Sequence, residues 1–79
     1  MSEDEVIKKL KIIFKSIFSK SDFTFSRNLG AKDIDEWDSL THVNLIMAIE
    51  KEFKISFTLD ELDQQNDVGD TIDSILKKI

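Results

Sequence analysis

The sequence contains no cysteine, and this absence excludes several kinds of chemistry. Disulfides, thiolate nucleophiles and sulfur-ligated metals all require that residue. With a single histidine, a zinc site built by the protein alone is not expected either. The lack of cysteine is compatible with the cytoplasm, where we expect the protein to reside. Proline is also absent and there are only two glycines, so helix ends have to be read from capping residues and apolar periodicity.

Long apolar runs are missing as well, and none is sufficient to cross a membrane. The N-terminal stretch MSEDEVIKKLKIIFKSIF mixes acids and lysines with its apolar residues, which is not typical of a signal peptide. Sixteen acidic residues against eleven basic ones give a net charge of -5. Such a chain repels phosphate backbones and favours basic protein partners. We therefore expect no nucleic acid, no membrane insertion, and a monomer with one domain over residues 1–79.

Capping boxes and helical periodicity predict four helices. Ser2-Glu3-Asp4-Glu5 is a capping box that begins a helix over about 3–19, and Thr58-Leu59-Asp60-Glu61 is a second that begins a short third helix. Asp67 caps the last helix, with Lys77 and Lys78 expected in its final turn. The apolar stripes of the first and last helices are Val6, Leu10, Ile13, Phe14 and Ile17, and Val68, Ile72, Ile75, Leu76 and Ile79. The sequence thus predicts an all-α four-helix bundle of three longer helices and one short helix.

A long connection with no helical period joins the first two helices, over about 19–37. Large apolar residues are scattered through it, and we interpret them as anchors that hold the loop on the bundle. We expect Gly30 to supply a turn. Trp37 is expected to be largely buried and to hold residues 32–38 in place. The other anchors are Phe23, Phe25, Leu29 and Ile34.

The second helix is capped by Asp38 and runs to about Phe53. Its apolar residues cover a sector wider than one core stripe requires, which indicates that part of the sector serves a partner. The residues of this sector are Leu40, Val43, Leu45, Ile46, Met47, Ala48, Ile49 and Phe53.

Ser39, at the start of the second helix, is the candidate for chemistry. A serine nucleophile needs a base, and His42 follows three residues later, but there is no nucleophile elbow and little bulk for an oxyanion hole. We therefore expect no enzymatic activity and no catalytic residues. A helix N-terminus tolerates a phosphate diester, so Ser39 is a candidate attachment point. On the residues alone, a simple helix cap remains the more common alternative.

Residues 33–38 also begin like an EF-hand loop. The match ends at the sixth position, where Asp38 replaces the required glycine, and at the twelfth, where Asn44 replaces the required glutamate. We expect no metal site.

A family resemblance favours attachment over a simple cap. The string DSL, followed by THVNLIMAIEKEFKI and later by DVGDTIDSIL, resembles the phosphopantetheine attachment region of acyl carrier proteins, and the similarity covers most of the chain. The longer string EWDSLTHVNLI resembles stand-alone carriers of secondary and biosynthetic pathways. The resemblance implies that Ser39 bears a 4'-phosphopantetheine arm. It also implies that Asp38 helps a transferase to place magnesium, and that acyl or aminoacyl groups are carried as thioesters to partner enzymes.

The resemblance further implies which residues meet partners. These are Leu40, Val43, Met47 and Glu50, and the partners are a phosphopantetheinyl transferase, an acyl- or aminoacyl-activating ligase, and downstream transferases or synthases. Other positions depart from the family pattern, because acids are usual where Thr41, Asn44 and Lys51 stand. This departure predicts weak recognition by general fatty acid synthase enzymes. The alternative hypothesis is an unmodified helical adaptor that binds a basic protein.

Overall fold

The computed structural model describes all 79 residues, and its regular structure is entirely helical. The four α-helices are α1 (Glu3–Ile17), α2 (Ser39–Phe53), α3 (Leu59–Asp63) and α4 (Val68–Leu76). A 3-10 turn, Ala31–Asp33, lies in the loop between α1 and α2. The prediction of an all-α bundle with a short third helix is therefore confirmed. No helix has the length and apolar character needed to span a membrane.

The helices begin where their capping residues stand. The Ser2 hydroxyl accepts the Glu5 N–H at 3.3 Å and so caps α1. On α3 the cap is reciprocal: Thr58 accepts the Glu61 N–H at 3.2 Å, and the Glu61 carboxylate accepts the Thr58 N–H at 2.8 Å. Asp67 caps α4 with its carboxylate, which accepts the Asp70 N–H at 2.9 Å. Each contact satisfies a backbone donor that the first turn of a helix leaves unpaired.

The helix ends differ from the prediction by one or two residues. Helix α1 ends at Ile17 rather than near residue 19, because Phe18 leaves the helical conformation and turns its ring into the core. Helix α4 ends at Leu76, and Lys77 is its C-cap. Ile79, predicted as the last member of the apolar stripe, therefore lies beyond the helix and is exposed. The Lys78 ammonium lies 2.9 Å from the Glu61 carboxylate and pairs with α3 instead of with the last helical carbonyls.

One hydrophobic core joins the longer helices. Helix α1 packs against both α2 and α4, and its buried side chains lie at the helical spacing that the sequence predicts. Two loop residues complete the core, which accounts for the apolar anchors in an otherwise polar connection. The core consists of Val6, Leu10, Phe14, Phe18, Leu29, Ile34, Leu45, Ile49, Phe53, Val68, Ile72 and Ile75.

An aromatic cluster around Phe14 holds both ends of the loop. Its ring centroid lies 5.4 Å from that of Phe25 and 5.4 Å from that of Trp37, both in edge-to-face geometry. Trp37 also packs against Phe18 and stacks on His42, with centroids 5.4 and 6.2 Å away. These contacts bury most of the indole, as predicted, and leave a smaller part of it in solvent.

Backbone hydrogen bonds attach the middle of the loop to α4. The carbonyl of Leu29 accepts the Val68 N–H at 2.9 Å, and that of Arg27 accepts the Gly69 N–H at 2.8 Å. A Cβ on Gly69 would lie 3.1 Å from the Arg27 carbonyl oxygen, so glycine permits this close approach. The Arg27 guanidinium adds an ion pair to Asp73 at 2.8 Å. The loop carbonyls thus satisfy two donors in the first turn of α4.

The turn predicted at Gly30 is present, but it does not depend on the conformational freedom of glycine. Gly30 precedes the 3-10 turn in an extended conformation, with φ at -138°. Its N–H donates to the Asp33 carboxylate at 3.0 Å.

Trp37→Ala tests the anchoring of the loop. Replacing a fully buried Trp by Ala lowers the free energy of unfolding by ~3–5 kcal/mol. For the partly exposed Trp37 we expect a loss of roughly 2 kcal/mol. In a domain of this size we expect the melting temperature to fall by about 10 °C. The matched control is Leu59→Ala, which shortens a strongly exposed side chain. Equal melting temperatures for the two variants would contradict the anchoring role.

Candidate attachment site

Ser39 is the first residue of α2, and its hydroxyl makes no hydrogen bond within the chain. The cap is formed by its neighbours. Asp38 Oδ1 accepts the Thr41 N–H at 2.9 Å, and Thr41 Oγ1 accepts the Asp38 N–H at 2.8 Å. The Thr41 hydroxyl also lies 2.6 Å from the Glu36 carbonyl, to which it can donate. The helix is therefore capped without Ser39, whose exposed hydroxyl is left available.

The Asp38 carboxylate stays ionised beside that hydroxyl. The Thr41 N–H and then the Thr41 hydroxyl hold the pKa of Asp38 below its ordinary value of 3.8. Only Oδ1 accepts a hydrogen bond from the chain, so Oδ2 is available to an external cation. The first turn thus places a free hydroxyl next to a carboxylate oxygen of permanent negative charge.

The geometry does not make Ser39 a nucleophile activated by His42. The imidazole Nδ1 accepts the Trp37 Nε1–H at 3.1 Å, and the ring stacks on the indole. No hydrogen bond joins Ser39 to His42, so the serine has no base to remove its proton.

The carboxylates that resemble an EF-hand loop have other partners. Asp33 accepts the Gly30 N–H. Glu36 Oε1 accepts the Lys20 N–H at 3.0 Å and the Ser21 hydroxyl at 2.7 Å, which ties the two ends of the loop together. These carboxylates act as local turn and capping groups rather than converging on one point.

The broad apolar sector of α2 divides into two faces, as the sequence predicts. Its buried members are in the core. Leu40, Val43 and Met47 are instead 72%, 53% and 61% exposed, and their spacing places them on one side of the helix. We call these three residues the apolar strip of α2. It begins immediately after Ser39.

Glu50 has an internal contact that the sequence does not reveal. Its Oε2 accepts the Phe57 N–H at 2.8 Å, which fixes the link between α2 and α3. Glu52, further along α2, pairs with Lys9 on α1 at 3.4 Å. Among the positions that depart from the acidic family pattern, Thr41 is used in the cap and Lys51 is exposed. The role of Glu50 in partner binding stays a prediction.

Residues 36–75 match the family model of the phosphopantetheine attachment site. The chain is also 41% identical to an acyl carrier protein of Buchnera aphidicola over 73 residues, covering 92% of this chain and 81% of the relative. The chain belongs to the acyl carrier protein family. An acyl carrier protein of Porphyromonas gingivalis is 37% identical, and the match covers 96% of this chain and 87% of the relative. An acyl carrier protein from Guillardia theta is 34% identical, and the match covers 100% of this chain and 98% of the relative.

The fold gives the same result. The solution structure of a holo acyl carrier protein from Geobacter metallireducens is similar, with a TM-score of 0.84 and 42% sequence identity over 91% of this chain and 83% of that one. The family resemblance drawn from the DSL region is therefore confirmed. Acyl carrier proteins are carriers rather than catalysts. Their acyl chains are attached to a covalently bound 4'-phosphopantetheine group.

The Asp38 cap should make stability depend on pH in the acid range. Because folding lowers the pKa of Asp38, its ionised form stabilises the fold above pH 3.8, and this stabilisation is lost as the pH falls through the folded value. Asp38→Asn should be less stable than the original chain at pH 7, and the difference should shrink below about pH 4. The measurement is the urea midpoint of unfolding of both proteins at a series of pH values from about 7 to about 3. Asp22→Asn, at an exposed aspartate, is the control. A difference that is constant with pH would show that the charge of Asp38 does not matter.

Proposed function

We propose that Ser39 of this acyl carrier protein bears the 4'-phosphopantetheine arm through a phosphodiester. The observation that carries the proposal is the reciprocal Asp38–Thr41 cap, because it completes the helix start and leaves the Ser39 hydroxyl free and exposed. A serine that was needed as a cap would lose that contact on modification. Ser39 can be modified with the fold unchanged.

The residues around Ser39 suit this group. The positive end of the α2 dipole favours a phosphate in the first turn, where Asp38, the N-cap, is the one neighbouring acid. When bound, the arm supplies a terminal thiol for acyl or aminoacyl groups, which this cysteine-free chain lacks. Asp38, with its free Oδ2, would hold the magnesium of the phosphopantetheinyl transferase while the Ser39 hydroxyl is modified.

The apolar strip of α2 is the surface on which partner enzymes would dock. These are the transferase, an acyl- or aminoacyl-activating ligase, and the transferases or synthases that take the cargo. Because Thr41, Asn44 and Lys51 interrupt the acidic track, docking should depend on apolar contact more than on long-range attraction. General fatty acid synthase enzymes should therefore bind weakly. The cytoplasmic location and monomeric state stay predictions.

Ser39→Ala separates the carrier from the unmodified adaptor. After incubation with coenzyme A and a phosphopantetheinyl transferase, the original chain should gain the mass of the arm and Ser39→Ala should not. Because Ser39 does not cap the helix, the substitution should change stability by less than the ~1 kcal/mol typical of a lost cap. Ser56→Ala, at an exposed serine outside α2, should be modified like the original. Modification of Ser39→Ala would refute the assignment, and an unmodified original chain would favour the adaptor.

Met47→Glu tests the docking surface. Placing a charge in the apolar strip should weaken binding to the activating ligase by about tenfold or more, since a charge buried without a partner is costly. Ile12→Glu is the matched control, because Ile12 is 64% exposed but lies on α1. Raising the salt concentration from about 0.05 to about 0.5 M screens exposed ion pairs. This increase should lower the affinity for the ligase less than Met47→Glu does. A steep salt dependence with Met47→Glu binding normally would contradict apolar docking.

A further inference from the structure

The side-chain amide of Gln65, in the link between α3 and α4, has an unpaired donor. Its Oε1 accepts the Thr71 hydroxyl at 3.0 Å. The Nε2 group is buried and donates to no atom of the chain. A buried amide N–H without a partner is unfavourable and rare in folded proteins, so its persistence needs an explanation.

The same side chain borders a small cavity of about 80 Å³. Since a water molecule occupies ~30 Å³ in the liquid, the space holds about two or three non-hydrogen atoms. Trp37, Leu45 and Ile46 supply apolar walls, and His42 also borders it. Trp37 precedes Ser39 by two residues and His42 follows it by three, so the cavity lies beside the first turn of α2.

The imidazole of His42 also borders this cavity. Because its Nδ1 accepts the Trp37 indole N–H, the neutral ring carries its proton on Nε2. That N–H has no hydrogen-bond partner within the chain. Asn66, Asp67 and Thr71 complete the lining. The cavity therefore combines apolar walls with a polar side that includes the unpaired Gln65 donor, which suits a short carbon chain bearing an oxygen atom.

We propose, on the basis of the proposed attachment at Ser39, that Gln65 determines cargo specificity. Its free Nε2–H selects a short acyl group with a hydroxyl or oxo oxygen over a plain alkyl group of the same length. Only the end of the acyl group, two carbon atoms and the oxygen, enters the cavity: the carbons pack on Trp37, Leu45 and Ile46, and the oxygen accepts the hydrogen bond that the chain does not provide. The volume of the cavity excludes long alkyl chains.

The test compares two four-carbon cargoes that differ by one hydroxyl. A phosphopantetheinyl transferase loads ¹⁵N-labelled protein at Ser39 from butyryl- or 3-hydroxybutyryl-coenzyme A. We expect the Gln65 side-chain amide signals to shift with the 3-hydroxybutyryl cargo and to stay nearly unchanged with butyryl. The hydroxylated thioester should also hydrolyse more slowly than the butyryl thioester, because more of it is held in the cavity.

Two variants isolate the donor. Gln65→Glu keeps an acceptor for Thr71 but replaces the N–H donor by a negatively charged carboxylate oxygen, and Gln65→Leu removes donor and acceptor without adding a charge. The measured quantity is the ratio of the hydrolysis rate of the butyryl thioester to that of the 3-hydroxybutyryl thioester. In each variant this ratio should fall by about fivefold, which corresponds to the loss of one neutral hydrogen bond. Gln64→Leu, at the exposed neighbour, should keep the ratio of the original chain. Because two different substitutions are compared, loss of fold in one leaves the other to decide.

The outcomes separate this inference from the proposed function. If Ser39 cannot be loaded, the proposed attachment fails and the inference fails with it. If loading succeeds but Gln65 responds equally to both cargoes, or to neither, the carrier function stands and the specificity is overturned.

Discussion

The reciprocal cap between Asp38 and Thr41 is the contact on which the attachment site depends. It determines where α2 begins and satisfies the donors of the first turn without using Ser39. It also orients Asp38 so that one carboxylate oxygen is occupied and the other is free. In many helices the first hydroxyl residue is itself the cap, and its modification would disturb the helix. Here the residue proposed to be modified, Ser39, is different from the residues that cap the helix, Asp38 and Thr41.

The long loop is held by interactions of three kinds rather than by proline or left-handed glycine. Aromatic packing on Phe14 holds its two ends, backbone hydrogen bonds join its middle to α4, and Glu36 links its beginning to its end. Each interaction is modest, but together they restrict a connection that would otherwise be mobile. The loop can therefore present Asp38 and Ser39 in a defined position.

The bundle and the candidate serine are predictable from the sequence because their signals are local. Capping boxes extend over four residues, and the apolar stripes repeat within a helix. The features that sequence reasoning missed join distant residues: Arg27 pairs with Asp73, Gly69 makes room for the Arg27 carbonyl, and Gln65 borders a cavity with residues of α2. No spacing rule brings such residues together. The stacking of Trp37 on His42 is likewise not visible in the sequence.

That stacking has a practical consequence, because Trp37 is the only tryptophan and there is no tyrosine. All indole emission from the protein therefore comes from a ring two residues before Ser39, in contact with His42 and beside the small cavity. A change in polarity or packing there alters the wavelength and intensity of one fluorophore with no background. The proposed loading of Ser39 would then be readable optically in real time, without a label on either the protein or its cargo.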